Sequence, residues 1–323
     1  MYSQIFVTSI LDIPQQIGIF AGAVGFTVNN SNPNQPIITH PTFPGALPIR
    51  VRASISGTNN QNHDLIFEST NPLATSSAVT RSPKLAGATN NPTVPAPTSI
   101  HLFGKLSEPF IACVIEYGPN RYRHSYLGYL EKAFPYNGGE VIAGTAGPDS
   151  TPAATISYTA GNVKYLFGGK TTLLATATSG GVHIDHPNAP TPWLVNRIPS
   201  TGNVMTAFTN AMVLGGFKDG YNDPFVARGQ SSYAGAAILT PVNMFTAQPI
   251  SGDCRFIPLG APYNARLVNM RNLSPGQTVD IAGELWKCFP AMTKRTETTM
   301  PLGGGNYRQY ETSFEIGYAY REN

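Results

Sequence analysis

The sequence describes a mainly β protein: a sandwich-like or barrel-like scaffold with long loops and one short helix near the N-terminus. Three observations carry that reading. Apolar and polar residues alternate in runs bounded by turn residues, only one stretch has helical spacing, and long Thr-, Ser-, Pro-, Ala- and Asn-rich segments lack apolar period.

The helix comes first. Ile13, Ile17, Phe20 and Val24 fall on one helical face. Asp12 stands where an N-cap is expected, Pro14 lies in the first turn where its missing N–H costs little, and Gly25 supplies a stop. The segment, about residues 12–24, should lay its apolar face on a sheet. Strands follow. From Ile49 to Ile55 the apolar residues Ile49, Val51, Ala53 and Ile55 face one way. Pro109 to Tyr117 is nearly continuous in apolar character. It leads through Gly118-Pro119-Asn120-Arg121 into Tyr122–Tyr129, the pattern of a hairpin. Ser274-Pro275-Gly276-Gln277 has Pro and Gly where a type II turn requires them. Val279 to Phe289 then resumes strand character. In the last strand Tyr310, Thr312, Phe314, Ile316, Tyr318 and Tyr320 share an aromatic face. Glu311, Ser313, Glu315, Gly317, Ala319 and Arg321 share a wetter one.

Composition limits the function. The chain has 323 residues, 41% of them apolar, enough for a sizeable core in one large β domain or two smaller ones. Only 12% are charged, against roughly 25% in an ordinary soluble protein. With 32 Gly and 28 Pro, this is neither a coiled coil nor a charged disordered tail. A net charge of +3 without a basic run gives no case for a nucleic-acid or membrane-surface binder. Low charge beside 15 Tyr and 16 Phe fits a surface covered by neighbouring subunits. It also fits a monomer whose polar surface is Thr, Asn and Ser. Cys113, Cys254 and Cys288 are far apart and odd in number, which fits buried thiols in a reducing compartment. The first basic residue is Arg50, so no secretory or transit segment is expected. Ile17–Phe26 is too short and glycine-rich to span a bilayer, which takes about 20 residues. A soluble protein made in a cytoplasm is expected.

Motifs for chemistry are weak. Gly168-Gly169-Lys170-Thr171 has Lys164 where a phosphate-binding loop needs its first glycine. His183-Ile184-Asp185-His186 reads as a polar loop before Pro187 rather than three convergent metal ligands. No Gly-x-Ser-x-Gly elbow occurs, and nothing pairs Glu131, Glu140, Asp149, Asp219 or Asp223 for glycoside hydrolysis. No catalytic residue, metal or cofactor is expected. Arg121, Arg123 and His124 cluster with Tyr117, Tyr122, Tyr126 and Tyr129. Such a cluster suits single-stranded nucleic acid, a protein interface or a core, and the weak overall charge favours the last two. Tyr122, Arg123, His124, Tyr126 and Tyr129 are the candidate interface.

Two stretches resemble structural proteins of tailed double-stranded DNA bacteriophages. The first is Ile111-Ala112-Cys113-Val114-Ile115-Glu116, Tyr122-Arg123-His124, Gly128-Tyr129-Leu130-Glu131-Lys132 and Gly138-Gly139. It resembles the phage pattern of an apolar strand ending in Glu, an aromatic-Arg-His step, a Gly-x-Leu-x-Lys step and paired glycines. The second runs Arg266-Leu267-Val268-Asn269-Met270-Arg271-Asn272-Leu273, Pro275-Gly276, Trp286-Lys287-Cys288-Phe289-Pro290 and Gly317-Tyr318-Ala319-Tyr320-Arg321. The helix followed by Gly25-Phe26-Thr27 is similar too. These segments cover about a third of the chain. The resemblance implies a virion component of the neck, tail or baseplate, assembled in the bacterial host cytoplasm, and brings no catalytic residues with it.

The implied organisation has an N-terminal β-rich part (1–143) and a C-terminal β part (234–323) that completes the scaffold. Between them lies an inserted or peripheral module (144–233) without counterpart in the phage pattern. The expected partners are copies of the chain in a ring or sleeve and other virion proteins, with neither membrane nor sequence-specific nucleic acid. A carbohydrate-binding attachment module using Trp193, a capsid decoration protein and a polysaccharide hydrolase are the competing readings.

Overall fold

A computed structural model describes residues 1–41, 48–56, 62–69, 77–83, 94–118, 121–135, 140–145, 166, 181–184, 194–195, 206–209, 239–250, 253–270, 272–291 and 316–323. In chain order the elements begin with β1 (Tyr2–Phe6), a 3-10 turn (Ile10–Asp12), helix α1 (Ile13–Ala23), β2 (Thr27–Asn29), β3 (Ile37–Thr39), β4 (Ile49–Ser56), β5 (Asn62–Ser69) and β6 (Ser77–Arg81). Next come β7 (Ser99–Lys105), β8 (Glu108–Glu116), β9 (Tyr122–Lys132), β10 (Glu140–Gly144), β11 (Gly181–Ile184), β12 (Leu194–Val195) and β13 (Thr206–Thr209). The last are β14 (Leu239–Pro241), β15 (Met244–Ile250), β16 (Asp253–Pro262), β17 (Ala265–Asn269), β18 (Gln277–Ile281), β19 (Glu284–Pro290) and β20 (Ile316–Arg321).

These strands form three antiparallel sheets, so the mainly β, sandwich-like expectation holds. The central sheet runs β1-β7-β8-β9-β10-β11-β12, with β16 joined to the far end of β9 and β15 and β13 beyond it. The N-terminal sheet runs β2-β3-β4-β5-β6, and the C-terminal sheet β14-β17-β20-β19-β18. The central sheet lies between the other two. On one face, Ile100, Leu102, Ile111, Cys113, Ile115 and Leu127 bury against α1 and the N-terminal sheet. On the other, Phe103, Phe110, Ala112, Val114, Tyr122 and Tyr126 bury against Ala265, Leu267, Phe289, Tyr318 and Tyr320 of the C-terminal sheet. The near-continuous apolar run of β8 follows from this: successive side chains point to opposite faces, and both faces are covered.

The helix forms as its spacing predicts, with Ile13, Ile17, Phe20 and Val24 all buried. Its start differs in detail. Asp12 occupies the N-cap position but makes no side-chain cap bond. The Ser9 hydroxyl instead accepts from the Leu11 amide at 3.2 Å and caps the preceding 3-10 turn. At the other end Gly25 (φ 92°) permits a Schellman stop. Phe26 N–H donates to the Ala21 carbonyl at 3.0 Å, and Gly25 N–H donates to Gly22 at 3.4 Å. Gly104 lets the helix approach β7. A Cβ there would sit 2.9 Å from the Phe20 ring and 3.0 Å from Val24 Cγ2.

β8 and β9 pair antiparallel as the hairpin pattern predicts, with Tyr117 N–H donating to the Arg121 carbonyl at 2.9 Å; residues 119–120 lie outside the described residues. The 274–277 turn closes by Gln277 N–H donating to Ser274 at 3.0 Å, with Gly276 at φ 74°. Two expectations need correction. The stretch 279–289 is not one strand. It is the hairpin β18–β19, turned by Ala282 (φ 53°) and Gly283 (φ 85°), a pair with the positive φ of a type I′ turn. The second face of the last strand is wetter only at Arg321, half-buried and paired to Glu284 at 2.8 Å; at Ala319 it is not. Ala319 packs with Trp286, Cys288 and Met270 in a third apolar cluster on the far side of the C-terminal sheet. Residues 310–315 lie outside the described residues.

Candidate functional site

The seam between the central and C-terminal sheets is built mostly of aromatic rings. Phe103 stacks on Tyr320 with centroids 5.2 Å apart, Tyr122 meets Phe289 at 5.6 Å, and His101 meets Phe289 at 4.8 Å. Even-numbered residues of β9 face this seam: Tyr122, His124 and Tyr126.

His124 is fully buried and joins the two layers. Its Nε2 lies 2.8 Å from the Pro290 carbonyl, which can only accept, so Nε2 carries the proton. Nδ1 is therefore an acceptor for the Tyr320 hydroxyl at 2.9 Å. A neutral imidazole fits both contacts. Burial, with the nearby positive charge of Arg123, drives the pKa of His124 down to about 3, against the opposing pull of the Pro290 carbonyl. The Tyr126 hydroxyl donates to the Tyr263 carbonyl at 3.1 Å. At the edge of the seam, His101 Nδ1 lies 2.9 Å from the Tyr2 hydroxyl, and its Nε2 lies 3.8 Å from Glu116. Burial lowers His101 to about 4 although Glu116 pulls the other way. Burial would raise Glu108, but the Asn264 amide, the Lys105 hydrogen bond and the Lys105 charge together bring it below its usual value.

Odd-numbered residues of β9 face the N-terminal sheet and carry its polar stitching. Arg123, fully buried, donates from Nε to the Arg81 carbonyl and from a terminal nitrogen to the Tyr122 carbonyl, each at 2.9 Å. Thr80 Oγ1 lies 2.7 Å from Ser125 Oγ, and Arg81 N–H donates to the Thr145 carbonyl at 2.9 Å. Arg81 forms a two-pronged pair with Asp64 directly across β5–β6, at 2.8 and 2.9 Å.

The candidate interface of the sequence reading therefore takes a different place. Tyr122, Arg123, His124 and Tyr126 are brought together, but inside one chain, where they hold three layers in register. They present no surface to a second molecule. Tyr129 is half-buried against the N-terminal core, with Lys132 Nζ 4.6 Å above its ring. The physical reason is the position of β9, a central strand covered on both sides. The signal was present in the sequence: a hairpin partner of a strand that is apolar on both faces shares that strand's burial. Cys113 and Cys288 are buried free thiols, while Asp185, His186, Trp193, Asp149, Asp219 and Asp223 lie outside the described residues.

A feature the sequence reading passed over is β1. It is the edge of the central sheet, paired only with β7 among the described residues, and Phe6 on it is 84% exposed. Other exposed apolar side chains are Leu106 at 72% and Ile19 at 59%. The alternating, uncharged run Tyr2-Ser3-Gln4-Ile5-Phe6 would have marked this strand. No protein-family model matches this chain, and no curated protein does.

Proposed function

We propose that this chain is a non-enzymatic structural subunit of a tailed-phage virion, part of a ring or sleeve in the neck, tail or baseplate. The observation that carries the reading is where the two phage-like stretches lie. The first is β8–β9 and the second is β17, β19 and β20, and they are the two sides of one joint. The aromatic-Arg-His step supplies Tyr122 and His124. The Trp-x-x-Phe-Pro and Gly-x-Ala-x-Arg steps supply Phe289, Pro290 and Tyr320, which those residues touch. Motifs distant in the chain and resembling one family thus encode a single layered body.

Two further features support the reading. The buried groups His124 and Arg123 act as cross-layer ties, and Tyr126 holds the turn that leads from β16 into β17. The low charge of the chain suits a subunit enclosed by neighbours. In this function the stacked sheets supply a stiff block, and sheet edges and loops join it to copies of itself and to other virion proteins. Mass spectrometry and imaging of purified particles of the phage that encodes the chain test the proposal. The chain is expected in stoichiometric amounts at the neck, tail or baseplate. Its absence from particles refutes the reading, and density confined to the capsid surface replaces it with a decoration role.

A further inference from the structure

We propose that β1 is a homotypic joint. The β1 strands of two copies pair antiparallel about Gln4, and the central sheet of one copy continues into that of the other.

The backbone alternation sets the geometry. Gly104 N–H donates to the Met1 carbonyl at 3.1 Å, and Val7 N–H donates to the Thr98 carbonyl at 3.3 Å. Antiparallel ladders bond every second residue, so Met1, Ser3, Ile5 and Val7 turn their amides and carbonyls toward β7. Tyr2, Gln4 and Phe6 turn theirs outward, to the side on which no strand among the described residues pairs with β1. Natural edges are blunted by charge, proline or a bulge. No proline or bulge blunts this one and no side chain of residues 1–11 is charged; the Met1 ammonium is turned toward β7, donating to the Gly104 carbonyl at 2.8 Å, and the β1–β7 register is unbroken.

The partner follows from the order of side chains along the strand. Tyr2, Gln4 and Phe6 lie on one face, with an aromatic ring at each end and an amide between. A two-fold axis at Gln4 places Tyr2 against Phe6 of the second copy, Gln4 against Gln4, and Phe6 against Tyr2. Each of these is a hydrogen-bonded pair, because all three residues present outward backbone groups. Tyr2 is already fixed, in a tilted contact 5.0 Å from Phe103, held by His101 at 2.9 Å and covered on one side by Lys287 Nζ 4.7 Å from the ring centre, so it offers a rigid ring with its remaining edge to a neighbour. Phe6, 84% exposed in the single chain, is the side chain that edge receives. Aromatic cross-strand pairs are among the favourable ones. The joint is two-fold, so it is separate from the head-to-tail contact a ring requires and does not depend on the virion reading.

Light scattering on the purified full chain, with hydrogen exchange, tests it. The native protein should show twice the 34.6 kDa of one chain, with slow exchange at the Gln4 and Phe6 amides. Gln4→Lys sets like charges against each other across the axis. It should give a single-chain mass, fast exchange at both amides and an unchanged far-ultraviolet circular-dichroism spectrum, because the Gln4 side chain is exposed and each chain keeps its fold. A native monomer overturns the proposal, as does an oligomer that Gln4→Lys leaves intact. Fast exchange at Gln4 and Phe6 in the native protein overturns it without recourse to any variant. Whether the chain is found in particles has no bearing on these results.

Discussion

Replacing Tyr320 by Phe isolates the tie between the central and C-terminal sheets. The ring stays, and with it the stacking on Phe103 at 5.2 Å, so no cavity is opened. What disappears is the hydroxyl that donates to His124 Nδ1 at 2.9 Å. His124 cannot answer by changing tautomer, because its Nε2–H is held by the Pro290 carbonyl at 2.8 Å. Nor can water reach a side chain that is fully buried. A buried acceptor is left unsatisfied, at a cost of about 1–3 kcal/mol, well short of the roughly 3–5 kcal/mol for emptying a buried Phe site. Urea unfolding should show a lower midpoint with an unchanged slope, the mark of lost stability without a change in the surface exposed. His124→Leu and the double variant complete a cycle whose coupling should be about 1 kcal/mol or more. A Tyr320→Phe protein with the native midpoint, or strictly additive variants, would refute the hydrogen bond and with it the role given to His124.

Three further outcomes follow from the same interior. His101 and His124 are held neutral, with pKa values lowered to about 4 and about 3, so the folded state binds fewer protons than the unfolded one below the ordinary histidine value of 6.5. Stability should be complete above that value and fall as pH drops toward 4, by at most about 2 kcal/mol per histidine at pH 5; urea midpoints across that range measure it. Ala282 sits at φ 53° in the β18–β19 turn, a region that costs a residue with a Cβ roughly 1–2 kcal/mol, whereas Asn tolerates it. Ala282→Asn should therefore raise the thermal midpoint, by about 0.5–1 kcal/mol in stability. Gly104→Ala puts a Cβ 2.9 Å from Phe20 and 3.1 Å from the Phe110 carbonyl, and should lower the thermal midpoint through overpacking of about 1–3 kcal/mol.

Much of the scaffold is local and could be read from the chain. The helical face of Ile13, Ile17, Phe20 and Val24 needs only a period, and the stop at Gly25 and the turn at Gly276 need only a residue that accepts positive φ. The β18–β19 hairpin was missed because its turn uses Ala282 where Asn or Asp is the usual signal, so the run 279–289 looked unbroken. The site was legible in part. Tyr122, Arg123, His124 and Tyr126 do form a connected group, yet alternation along β9 says only that they divide between two faces.

What lies over each face is set by strands far away in the chain, and that is where residue order and folded arrangement part company. His124 meets Pro290 and Tyr320, separated from it by 166 and 196 residues. No period or spacing encodes such a meeting. Local preference and polarity fix which segments extend, turn or coil, because those depend on a few bonds and near neighbours. The stacking of three sheets depends on the burial of whole faces at once, and that burial turned a Tyr-, Arg- and His-rich hairpin from a candidate surface into the interior of a single body.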